Sequence, residues 1–187
     1  LRRVRVDLTE QAWGRIAVGA REHGQAFVRQ VAESRTATVQ GEGERIAIGA
    51  GVRDCVILKS SRSGFTGFLR DEYTTLPDVA DRILATAMTA TWRYRTADLD
   101  FNLTWRAVRT TLVETFAEHD SQSVQHTLHA MGQAVLDNVE AVSAIRLVMP
   151  NKHHLPVDLS RLGLENRNEI FVPTDEPYGL IEASLIR

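Results

Sequence analysis

A chain of 187 residues, 43% hydrophobic and 25% charged, can form one large domain or one and a half smaller ones. Its net charge of −2 argues against a nucleic-acid surface, and no run approaches the ~20 apolar residues of a membrane helix. The polar opening LRRVRVD does not read as a secretory signal, and the single cysteine, Cys55 in CVIL, excludes a disulfide framework. A reducing, cytoplasmic setting is therefore expected. The chain starts at Leu1 without Met and stops in a strand-like segment at Arg187. A piece of a longer protein is expected, with a peroxisomal address beyond Arg187 left open.

From the start, VRVDL and the segment around Phe27 alternate apolar and polar residues, and a Gly-containing turn between Gly14 and Val28 makes them two joined strands. TATVQGEGERIAIGAGVRDCVILKS then suggests a hairpin turning at Gly41–Gly43. Thr89–Tyr94 alternates again and predicts a strand. Helical spacing follows: Phe101, Trp105, Val108, Leu112 and Phe116 form one apolar face, and Val124, Leu128, Met131, Val135 and Val139 form a second. Asp120, Ser121 and Ser123 are N-cap candidates for the second helix. AIRLVM, the region near HLPVDL, EIFV and LIEASLI return to strands, with Pro150 and Gly163 read as turn residues. From about Arg35 the order is strands, two helices, strands. This predicts an α+β antiparallel sheet with helices on one face, and the free sheet edges make an oligomer the expectation.

The segment Gly64–Arg82, GFTGFLRDEYTTLPDVADR, sets aromatic rings and arginines close together, as a flat anionic ligand requires. Phe65 is either a stacking platform or an ordinary core residue. Arg82 either pairs with a planar anion or forms a surface salt bridge with Asp78 or Asp81. Val124 and Gln125 fall in the first turn of the second helix, where backbone N–H groups lack acceptors and the dipole favours an anionic oxygen; a solvated first turn is the plainer reading. Asn151 and His153 share a strand face and place a proton carrier beside a neutral amide, or else belong to a hairpin turn. His126 and His129 are three apart on a helix but lack an acidic or thiol companion, so no metal site is expected there.

Taken together, GFTGFLRDEYTTL with DRILAT, the helix start SVQ, MPNKHH and NEIFVPTDEPYGLIEASL resemble the urate oxidase (uricase) family over nearly the whole chain. The resemblance implies the tunnelling fold: tandem units, each a four-stranded antiparallel sheet with two helices, assembling into barrels and a homotetramer. Residues 33–187 would be the second unit and 1–32 the last two strands of the first. It implies cofactor-free oxidation of urate by dioxygen to 5-hydroxyisourate with release of hydrogen peroxide, and no metal. Carried onto matching positions, Phe65 would stack on the purine, Arg82 and the Val124 N–H would meet one edge, and Gln125 the opposite edge. Asn151 would hold dioxygen or water and His153 would join a proton relay. The family's relay Lys and Thr come from the first unit and are absent here; Lys59 and Lys152 are the only lysines and lie outside that context. These residues by themselves are expected to bind urate without oxidising it appreciably. The competing expectation is a non-catalytic protein of this fold that binds a purine or pterin or only assembles. Pterin enzymes of the fold usually anchor the ring with Glu, so Gln125 favours a purine.

Overall fold

A computed structural model describes residues 3–10, 13–18, 21–29, 33–75, 77–174 and 176–187, with only the backbone considered between 13 and 29. Among the described residues ten strands and two α-helices follow one another: β1 (Val4–Glu10), β2 (Trp13–Val18), β3 (Arg21–Arg29), β4 (Ser34–Glu42), β5 (Arg45–Lys59), β6 (Leu84–Tyr94), α1 (Phe101–Glu118), α2 (Val124–Asn138), β7 (Val142–Lys152), β8 (His154–Pro156), β9 (Phe171–Pro173) and β10 (Leu180–Ile186). The expected α+β arrangement holds, with both helices packed on one face of an antiparallel sheet.

The sheet has six strands in the order β1-β4-β5-β6-β7-β10, where four were expected. It is wider because β10 adds to β7, and because β1, expected in a separate preceding unit, pairs residue by residue with β4 from Val4↔Gly41 to Glu10↔Arg35. The register puts Val6, Val39 and Ile48 in one row across three strands, so the opening alternation serves this sheet's apolar face. β2 and β3 form their own hairpin. The expected direct joining of the opening strand to the strand around Phe27 does not hold: β1 pairs with β4, β2 intervenes and pairs with β3, and residues 19–20 lie outside the described residues.

Both predicted helical faces are buried: Trp105, Val108, Leu112 and Phe116 from α1, and Val124, Leu128, Met131, Val135 and Val139 around α2. They meet alternate residues of β6 (Leu84, Met88, Ala90, Trp92, Tyr94) and of β7 (Ile145, Leu147, Met149). Phe101 is half-buried, its ring 5.4 Å from Tyr94. Asp100 caps α1, its carboxylate accepting from the N–H groups of Asn102 (3.0 Å) and Leu103 (2.9 Å). Of the three candidates for α2, Ser123 is the cap: its Oγ accepts from the His126 N–H at 3.1 Å.

Three details depart from expectation. The first hairpin turns one residue later, at Gly43–Glu44, with Gly43 at φ 59° where a side chain would be strained. β5 and β6 are both longer than the alternation suggested: β5 carries a bulge, where Val52 pairs with Ala90 and Cys55 with Met88, so three steps on one strand match two on the other and Asp54 takes φ 59°, while β6 begins at Leu84. Pro150 is not a turn residue; it lies inside β7 opposite Leu180, and the next ladder bond comes from the Asn151 N–H to the Gly179 carbonyl at 2.8 Å. Gly163 does end a 3₁₀ turn in the left-handed region, at φ 68°. No helix among the described residues is long and apolar enough to cross a membrane.

Candidate ligand-binding site

Between β5 and β6 the chain runs without regular strands, yet backbone bonds pin it at both ends. Gly64 N–H donates to the Ser121 carbonyl (2.8 Å) and Ser121 N–H to the Arg62 carbonyl (3.0 Å), tying this segment to the residues just before α2. Phe65 and Val79 exchange two bonds (2.7 and 3.0 Å), and Arg82 N–H donates to the Ser63 carbonyl at 2.7 Å. Three stretches, 62–65, 79–82 and 119–121, thus converge at the N-terminus of α2. Gly64 is required here, since a Cβ would come within 2.9 Å of the Ala80 carbonyl oxygen.

This convergence brings Phe65 and Arg82 together. The Arg82 Cζ lies 5.1 Å from the Phe65 ring centroid, within cation–π reach. The salt bridges that sequence proximity suggested do not form. Asp78 pairs with Arg70 at 2.9 Å, and Asp81 accepts from the Ser63 N–H at 3.0 Å. Arg82 is half-buried, burial lowers its pKa from the ordinary arginine value, and its Nε is buried with no acceptor. A buried, unmatched guanidinium donor is costly unless an acceptor arrives, so the geometry calls for an anionic or carbonyl-bearing ligand. Phe68, which the sequence reading passed over, stacks on Phe65 with centroids 4.6 Å apart and planes at 14°.

The other candidates lie on adjoining elements. Val124 is the first residue of α2; its side chain is core, while its N–H belongs to the unpaired first turn. Gln125 beside it is exposed. Asn151 is half-buried near the end of β7, opposite Thr86 of β6. Thr86 is fully buried and its Oγ1 has no partner. No hydrogen bond, ion pair or ring contact joins Val124, Gln125, Asn151 or His153 to the Phe65–Arg82 pair among the described residues. The strand breaks at His153, whose carbonyl accepts from the Thr174 N–H at 2.9 Å. His154 then opens β8, and it is His154, with Asn168 and Phe171, that lines the cavity of about 190 Å³ beside Arg82. Strand alternation could not foresee this, because β7 ends at Lys152, just before the two histidines.

Comparison with known proteins places the chain. The uricase family model matches residues 48–182. Uricase of Arthrobacter globiformis is 45% identical over 175 residues, covering 94% of this chain and 57% of that protein. Uricase of Danio rerio is 36% identical over 191 residues, covering 99% of this chain and 64% of that protein. The crystal structure of the Arthrobacter globiformis uricase superposes with a TM-score of 0.94 at 42% identity, over 100% of this chain and 63% of that one. The chain therefore spans about three fifths of the length of the relatives it matches.

Proposed function

The chain belongs to the uricase family, and from that premise we propose that it supplies the ligand-binding half of a urate oxidase site. Residues 33–187 form the second of two tandem units and 1–32 contribute strands of the first. The observation that carries this reading is the half-buried Arg82, its Nε without an acceptor, held against the Phe65 ring. A planar, electron-rich purine anion answers both features: it lies on an aromatic ring and presents a carbonyl edge to a guanidinium fork. The Val124 N–H and the Gln125 amide, at the positive end of α2, meet its oxygens and ring nitrogens. Asn151 positions dioxygen or water, and His153 takes part in moving protons. Deprotonated urate brings its own reducing electrons, so the protein has to desolvate it, orient it and move protons. The Lys and Thr that complete the relay come from outside these residues, across a subunit interface of a homotetramer. These residues by themselves are therefore inactive.

The test is urate consumption and peroxide release by the full-length protein under air, followed at the urate absorbance band. Turnover is expected; urate binding without turnover would leave a non-catalytic purine binder. Arg82→Ala removes charged hydrogen bonds and is expected to weaken urate binding by ~1.5–3 kcal/mol. Unchanged urate affinity in that variant would remove the assignment of Arg82.

A further inference from the structure

The turn between the helices brings together two histidines that the site above does not use. His119, which follows α1, and His126, in the first turn of α2, face one another with Nε2 of the first 3.2 Å from Nδ1 of the second. Their rings meet edge to face with centroids 4.4 Å apart. Each hangs from backbone that the fold fixes. The His119 N–H donates to the Thr115 carbonyl and the His119 carbonyl accepts from Lys59 Nζ, while the His126 N–H donates to Ser123 Oγ. The separation of the two nitrogens is therefore set by the end of one helix and the cap of the next.

That separation suits a shared cation. Two imidazole nitrogens bound to one tetrahedral zinc at about 2.0–2.1 Å lie about 3.3 Å apart. We propose that His119 and His126 form a binding site for a divalent late first-row metal ion, with zinc and copper as its natural test species. Neutral imidazole is a good ligand for these ions, and each ring presents its facing nitrogen once its proton sits on the other one. Lys59 and Arg62 bring positive charge to this corner, but Arg62 is held by Asp120 at 2.6 Å and lies 3.7 Å from Glu118, so acidic groups offset the basic ones. No group of three or more His, Cys, Asp or Glu among the described residues could hold a metal. The site thus has two protein ligands, and water completes the coordination. Such a site is open and exchangeable, and an ion in it would clamp the end of α1 to the turn that carries Gln125.

Calorimetric titration of zinc chloride into chelator-treated full-length protein at neutral pH tests this. One saturable site per chain is expected, weakened at least about tenfold in His126→Gln and in His119→Gln and retained in His129→Gln. Zinc binding that survives His126→Gln unchanged overturns the proposal, as does equal loss in His129→Gln, which would move the ion off the pair. Electron paramagnetic resonance of the unaltered protein with one equivalent of copper gives a readout free of any folding defect. Coupling to two imidazole nitrogens is expected, and coupling to fewer overturns the assignment.

Discussion

Cys55 shows how burial decides the chemistry of a single side chain. It is 3% exposed, and burial, reinforced by Glu33, pushes its thiol up to about 12 from an ordinary 9.0. The thiolate is the reactive form, so Cys55 is expected to resist iodoacetamide at pH 8 in the folded protein and to react on unfolding, as mass spectrometry would show. The same shift has a sign in stability. A folded pKa above the unfolded one favours the fold fully below about 9, and that contribution is lost as pH rises toward 12. Urea midpoints should therefore fall between pH 9 and 11 more steeply in the natural protein than in Cys55→Ala. Arg82 is the converse case. The sequence shows an arginine two acidic residues could have matched; only the fold shows that Asp78 and Asp81 are engaged elsewhere. Single residues advertise their chemistry, whereas their partners depend on distant backbone, which is why nothing in the sequence marks Phe68 or His119, and why strand alternation points to His153 where His154 lines the cavity.

Elements were far more legible, and for a reason particular to helices. The apolar period of α1 and α2 is local, so ten side chains named a buried seam without any knowledge of the sheet. Their ends depend on one side chain each. Asp100 holds two first-turn N–H groups of α1 from an exposed position, so Asp100→Ala is expected to lower stability by about 0.5–2 kcal/mol with little effect on ligand affinity. Thermal and urea unfolding measure the first and urate titration the second. Strands were read less well because their period of two is broken wherever the ladder shifts. β5 is legible only as part of a hairpin, since Val52, Arg53, Asp54 and Cys55 do not alternate, and the start of β6 is hidden because Ala85 and Ala87 give Leu84–Met88 no polar face. Pro150 misled for a related reason: its missing N–H marks a turn in most contexts, but here it occupies a ladder position that needs none.

For the whole molecule, the helix-free face of the sheet is the open question that sequence raised and the fold sharpens. Thr38, Gln40, Arg93 and Arg146 share the lining of a shallow depression of about 370 Å³ there with Ala47, Ala144 and Ile186, and apolar atoms make up most of its exposed surface. The width of the sheet was not legible, because pairing of β1 with β4 joins residues about thirty positions apart that share only a general alternation. The β5 bulge has a further consequence, best put as one of phase. Val52 and Cys55 are an odd number of residues apart, yet both face the helices, because the extra residue shifts the strand's in–out rhythm by half a cycle. Removing Asp54 would restore an even count and leave Cys55 and Ile57 facing inward, so helical circular dichroism and cooperative unfolding should survive. What it would alter is the heading of the chain as it leaves the sheet toward Ser63 and Phe65. A deletion that keeps the core in step should thus weaken urate binding from a residue that never touches the ligand.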